Sequence, residues 1–110
     1  MSGAHRSHHA LGAAHEAIAG AVDGLAPQLV ALRRELHAHP EPSWEEHRTT
    51  ARLVELLEGA GLAPKVAAPG TGVVCDIGSH GPVVVVRGDI DALRMDDAKD
   101  VAYRSTVPGV

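Results

Sequence analysis

The run Val83-Val84-Val85-Val86-Arg87-Gly88-Asp89-Ile90-Asp91 constrains this chain more than any other segment. Four consecutive β-branched residues suit a strand covered on both faces, as in the parallel part of an α/β sheet, and such sheets carry their chemistry at the carboxyl ends of their strands. Here that end holds Asp89 and Asp91. Residues two apart on extended backbone point to the same side, so both carboxylates can face one ion, one water or one substrate. Gly88 lets a partner come close to the backbone. From the residues alone this site role stands level with a simpler one, in which the two aspartates cap the following turn through hydrogen bonds to its backbone.

The chain before this segment reads as two helices. Leu25, Leu29, Leu32 and Leu36 recur at helical steps and form one stripe, with Arg33, Arg34 and Glu35 on other faces. This helix must stop near His39, because Pro40 disfavours helical backbone in the residue before it and Pro42 follows. Histidines in a last turn interact favourably with the helix dipole, which is the reading for His37 and His39; at i, i+2 they project far apart and cannot chelate one ion. Glu41, Glu45 and Glu46 read as corner and first-turn acids, with Trp44 as a core anchor. Ser43 and Glu46 have the spacing of a capping box that opens a second helix, and Gly59 and Gly61 close it near Glu58 to Ala60.

Short β-rich pieces follow: Lys65 to Ala67, Val73 to Ile77 and Val83 to Ile90, separated by turns. Only about five residues join the last two, too few for a parallel crossover, so these are expected to form an antiparallel hairpin within a mixed sheet. The N-terminal dozen residues, with His5, His8 and His9, lack apolar periodicity and read as a flexible tail rather than a metal-binding tract.

Composition narrows the possibilities. Hydrophobic residues make up 45% of the 110, but the chain has no Phe, one Trp and one Tyr, so its core is expected to be thin. A net charge of -4 with mixed signs offers no basic stripe for nucleic acid and no cationic face for a membrane. No apolar run approaches the roughly 18 residues of a membrane span, and no signal-peptide apolar region opens the chain, so the cytoplasm is the expected location. A lone Cys75 in an apolar run reads as a buried, inert thiol. The polar stretch from Arg94 to Val110 stops without a cap or closing strand, and a strand as apolar as Val83 to Val86 wants more cover than two helices supply. A fragment, or a subunit completed by another chain, is the expectation.

Three motifs, Leu32-Arg33-Arg34-Glu35-Leu36-His37-Ala38-His39-Pro40-Glu41-Pro42-Ser43-Trp44-Glu45-Glu46-His47, Arg87-Gly88-Asp89-Ile90-Asp91-Ala92-Leu93 and Tyr103-Arg104-Ser105-Thr106-Val107-Pro108-Gly109-Val110, together resemble the beginning of a metal-dependent amidohydrolase. The group contains aminoacylases, hippurate hydrolases and hydrolases of indole-acetyl amino-acid conjugates. The resemblance implies an α/β fold, here a partial three-layer α/β/α sandwich with a mixed sheet: two N-terminal helices, then about three strands, incomplete. Residues 1–12 would be the tail and 13–110 the N-terminal part of the catalytic domain, ending before a His-x-Cys-Gly-His-Asp motif that supplies metal ligands. The complete enzyme would hold two divalent metal ions (zinc, manganese or cobalt), none of them on this chain alone, and would be dimeric through an inserted lid domain.

By the same resemblance, Asp91 matches the aspartate that orients a metal-bound histidine, and Asp89 stands where related peptidases have a histidine ligand. Asp91 and Asp89 are therefore the candidate catalytic residues. Arg94 and Ala102 stand where the family usually has proline, which loosens the loop after the strand. The implied chemistry is amide hydrolysis by a metal-activated water, with a small N-acyl amino acid or related amide as substrate. Two other readings stand beside it. One is a haloacid-dehalogenase-like phosphatase using Asp89 and Asp91, although Leu93 occupies a position usually held there by Thr or Val; the other is a remnant or interaction module without catalysis.

Overall fold

The computed structural model describes the backbone of residues 3–110 and the side chains of residues 8–110. Two compact units divide it, Met1–Arg34 and Glu35–Val110. The first is helical throughout its described residues. Helix α1 covers Gly3–Ala38, 36 residues, or about 54 Å at the α-helical rise. Residues 3–12, expected as a tail, thus have helical backbone; alanine at 4, 10, 13, 14 and 17 supplies strong local helix propensity where hydrophobic periodicity is missing. Residues 1 and 2 and the His5 side chain lie outside the described residues. Pro27 sits inside α1, where it has no N–H to offer the carbonyl of Asp23. The stripe residues Leu25 and Leu29 remain about half exposed.

The second unit begins with the last turn of α1, which ends at Ala38 as the prolines require. The His39 amide donates to the carbonyls of Glu35 (3.2 Å) and Leu36 (3.3 Å), and its ring Nδ1 lies 3.0 Å from the Glu35 carbonyl oxygen. Helix α2 covers His47–Gly59. Its start differs from the expected capping box: Ser43 and Trp44 form a turn, and the side chain that satisfies the free amides is Glu41. The Glu41 carboxylate accepts from the amides of Arg48 (3.0 Å) and Thr49 (2.6 Å) and from the Thr49 hydroxyl (2.7 Å). A carboxylate delivered from outside the helix takes the role that the sequence pattern gave to Ser43. The helix closes with Gly61 at φ 81, whose amide donates to the Glu58 carbonyl, close to the expected end. Glu35 binds Arg48 and Arg52 of α2 at 3.2 and 3.1 Å, fastening the end of α1 to it.

The interior of this unit is polar. Glu46, Thr49, Thr50 and Thr71 are buried, and no apolar side chain among the described residues is. The Thr50 hydroxyl accepts from the Gly72 amide (2.9 Å), tying the turn before the second strand to α2. Each buried polar side chain has a partner: Thr49 bonds the Glu41 carboxylate, Thr50 the Gly72 amide, and Thr71 the Glu46 carboxylate.

Two strands form the sheet: β1, Lys65–Val66, and β2, Val73–Val74, antiparallel with Lys65 opposite Val74 and Val66 opposite Val73. The connection contains a cis Ala68–Pro69 bond and is closed by the Ala67 amide on the Gly72 carbonyl (2.9 Å). The fold is α/β as expected, but the hairpin joins the first and second β pieces, not the second and third. Val83 to Ile90 forms no ladder, and Val83, Val84, Val85 and Val86 are 83–94% exposed. β-branched composition favours extended backbone, yet a ladder needs a partner edge and a face to cover, and the described residues supply neither for this segment. Its carboxyl end is nevertheless anchored. The Ala92 amide donates to the Glu41 carbonyl (2.8 Å) in a parallel bridge between Pro42 and Ala92, the one parallel element of this small mixed arrangement among the described residues.

The final segment folds onto the end of α1 around two aspartates. Asp97 accepts from the amides of Lys99 (3.1 Å) and Ser105 (3.0 Å) and from His37 Nε2 (2.8 Å), while Asp96 accepts from the Gly109 amide (2.7 Å). Tyr103 stands edge-on to His37 at 5.6 Å. The Thr106 amide and hydroxyl both reach the Ala38 carbonyl, at 2.8 and 2.7 Å. His37 is therefore the ring that docks this segment, in addition to its place in the last turn of α1. Hydrogen bonds from the Ser105 and Lys99 amides, and then from His37, hold the Asp97 carboxyl at about 2, below its ordinary 3.8. Because the folded value is the lower one, this contribution is complete above the ordinary value and lost as pH falls through about 2. The Ser105 amide signal, followed by NMR in acid, is expected to hold its position down to the ordinary carboxylate range and move only below it; a midpoint at or above 3.8 would contradict the contact.

Candidate functional site

The carboxyl end of the valine segment lines a cavity of about 400 Å³ with the corner before α2 and the turn before β2. Arg87, Asp89 and Asp91 come from the segment, Trp44 and Glu46 from the corner, and Thr71 from the turn. The two aspartates expected at a site do share one cavity. Asp89 is 3.2 Å from Arg87 Nε, with both side chains largely exposed. Asp91 has no hydrogen-bonded or ionic side-chain partner among the described residues. Neither aspartate accepts a backbone N–H there, so the turn-capping alternative is not what this backbone does with them.

The cavity also holds a carboxylate that the sequence reading treated as a first-turn acid and capping-box partner. Glu46 is buried, and the Thr71 hydroxyl bond lowers its carboxyl below the usual range against the opposing effect of burial; the Trp44 amide adds a bond at 3.1 Å. Glu41, just behind it, is pushed up by burial but more strongly down by the Arg48 and Thr49 bonds, so it too is held ionised. The capping-box spacing singles out Glu46 from Glu45 but does not foretell the bond to Thr71. Their fates differ because Glu46 turns inward toward Thr71, whereas Glu45 turns outward to Arg94 at 2.9 Å.

Trp44 is not a core anchor. It has left-handed backbone, φ 69, which is strained for a bulky residue, and its side chain is 70% exposed at the cavity rim. Cys75 is half-exposed rather than buried, with Sγ 3.9 Å from the Asp76 carbonyl. His37 and His39 part as their spacing requires, one to Asp97 and the other to the Glu35 carbonyl. Among the described residues no three His, Cys, Asp or Glu side chains gather into a group that could hold a metal ion. Nor is any helix of the described residues long and apolar enough to cross a membrane.

The chain superposes on the Bacillus subtilis YXEP protein, described as a dinuclear metal binding peptidase, with a TM-score of 0.72 and 34% identity over 79% of this chain and 25% of that one. No family model matches the chain. Among individual proteins, it is 42% identical to Bacillus subtilis YhaA, which carries the name amidohydrolase, over 81% of this chain and 23% of YhaA. It is 40% identical to the N-acetyl-L-cysteine deacetylase of the same organism, over 78% of this chain and 21% of the deacetylase. A Rhodococcus jostii protein carrying the name glutamate–cysteine ligase 2-3 is 45% identical over 76% of this chain but only 11% of that protein. The chain therefore spans a quarter or less of these relatives. It belongs to the metal-dependent amidohydrolases, the family of N-acyl-amino-acid and IAA-amino-acid hydrolases, and corresponds to the N-terminal part of their fold.

Proposed function

We propose that this chain is the N-terminal portion of an amidohydrolase that cleaves N-acyl amino acids or related small amides, and that it is inactive by itself. The observation that carries this reading is the likeness to a dinuclear metal-binding peptidase, 34% identical over a region that includes most of this chain. The substrate class follows the relatives named for N-acetyl-L-cysteine and for N-acyl-L-amino acids. The ligase name does not transfer: 84 matched residues make 11% of that protein whereas 91 make 23% of YhaA, so it is roughly twice as long and its name covers sequence beyond the match. The phosphatase reading of Asp89 and Asp91 has no counterpart in these relatives.

The residues present do not by themselves fit a pair of divalent ions, since no ligand group forms among them. Their proposed part is to present and orient. Asp91, open to the cavity and bound to no other side chain, would accept an N–H from a histidine brought by the rest of the fold and so fix its tautomer and direction. Asp89, already paired with Arg87, would contribute charge at the same wall. Glu46 and Thr71 would hold the opposite wall in place. Neither nucleic acid nor membrane is proposed as a partner, and the cytoplasm is the proposed location.

Complementation tests the reading. Incubated with manganese, zinc or cobalt and a panel of N-acyl amino acids, the 110-residue chain is expected to release no amino acid above blank. Co-expressed with a YXEP protein lacking its own matching quarter, it is expected to restore metal-dependent release. Turnover that co-purifies with the chain alone would refute its inactivity, and a soluble, co-purifying but inactive pair would refute the amidohydrolase role.

A further inference from the structure

We propose that Glu41 is a positioning residue that couples the start of α2 to the strand end bearing Asp91; its functional meaning rests on the role proposed above for Asp91. Three observations meet at this residue. Its carboxylate takes both free amides and a hydroxyl at the start of α2, at 3.0, 2.6 and 2.7 Å. Its own carbonyl takes the amide of Ala92, the residue after Asp91, at 2.8 Å. And it stands between Pro40 and Pro42, whose rings fix φ on either side and bring no N–H to compete for these acceptors.

One residue thus binds the helix through its side chain and the strand end through its main chain. The carboxylate and the carbonyl belong to one residue, so a shift of Glu41 that follows loss of the carboxylate's bonds also moves the acceptor of the Ala92 amide. The Glu45–Arg94 pair, at 2.9 Å, joins the chain three residues after Asp91 and is a weak substitute for this hold because both its side chains are largely exposed. Asp91 itself has no side-chain partner among the described residues, so its direction depends on the backbone that carries it. That backbone is bonded to Glu41 directly after Asp91, while Val83 to Val86 before it is unpaired. Aspartate at 41 would be one methylene short of the α2 amides, and glutamine would keep only one accepting oxygen.

Amide exchange in the full 110-residue chain, read by NMR, separates this coupling from simple helix capping. In Glu41→Ala the Arg48 and Thr49 amides and the distant Ala92 amide are all expected to exchange about tenfold faster or more, while the Ala67 amide in the β1–β2 connection keeps its protection. Glu41→Gln is expected to give an intermediate acceleration at Ala92, a partial rescue. A cap serving only its own helix would expose Arg48 and Thr49 and leave Ala92 unchanged, and that result overturns the proposal. If Glu41→Ala loosens Ala67 too, Glu41→Gln decides: acceleration at Ala92 with Ala67 intact supports the coupling, and an unmoved Ala92 rejects it. Exchange reads the coupling alone, whereas the role of Asp91 is read from activity, so either can fail without the other.

Discussion

With this chain joined to the remainder of a related amidohydrolase domain, Asp91→Ala is expected to lower kcat by about 10–100-fold. The expectation comes from what Asp91 lacks. A carboxylate with no partner among the described residues, on the wall of a cavity and next to an anchored amide, would have its hydrogen-bonding capacity in reserve for a group brought by the rest of the fold. Removing it should leave that group free to rotate, at the cost typical of a lost orienting partner. His37→Ala serves as the contrast. His37 docks the segment from 96 to 109 through Asp97, at 2.8 Å, and does not line the cavity, so its loss should act on the stability of that segment and only slightly on kcat. Steady-state kinetics with metal content measured for each variant decides the matter. A fully active Asp91 variant beside a folded but inactive His37 variant would move the functional centre to the end of α1.

The second large effect concerns association. Val83 to Val86 expose 83–94% of their surface, and burying a valine is worth about 1.5–3 kcal/mol, so covering all four would contribute about 6–12 kcal/mol. No other contact described for this chain approaches that size. The isolated chain should therefore sediment as oligomers at micromolar concentration and bind a hydrophobic dye strongly, and the paired substitution Val84→Lys and Val86→Lys should return it to a monomer with weak dye binding. A wild-type chain that sediments as a monomer with a sharp cooperative melt would contradict this expectation and the fragment reading together.

What the sequence revealed and what it concealed follow from how far each interaction reaches. The C-terminal half of α1 and the whole of α2 were legible because their signals are local, the leucine spacing, the prolines that end α1 and the glycines after α2, whereas the start of α1 at Gly3 has no apolar periodicity to announce it. That Asp89 and Asp91 face one cavity was legible because alternation along an extended chain is a local rule. The true cap of α2 was not, since Glu41 reaches past the Ser43–Glu46 pattern that satisfies the same amides on paper. The docking of Asp97 on His37 spans 60 residues and has no sequence signature. The strand pairing failed for a different reason. Valine composition announces an extended segment but not its partner, and β2 pairs with β1 across a short connection closed by the Ala67 amide on the Gly72 carbonyl.

The corner at Glu41 also sets an order of assembly. Its bonds to Arg48 and Thr49 span seven and eight residues, whereas the ties that close over it span 49 residues from Glu45 to Arg94 and 68 from Ala38 to Thr106. Loop-closure entropy makes the short ties form first and the long ones last. On a ribosome, the local ties of α2 to Glu41 are thus available before Asp91 emerges, and the segment that carries Asp91 docks onto a corner already made.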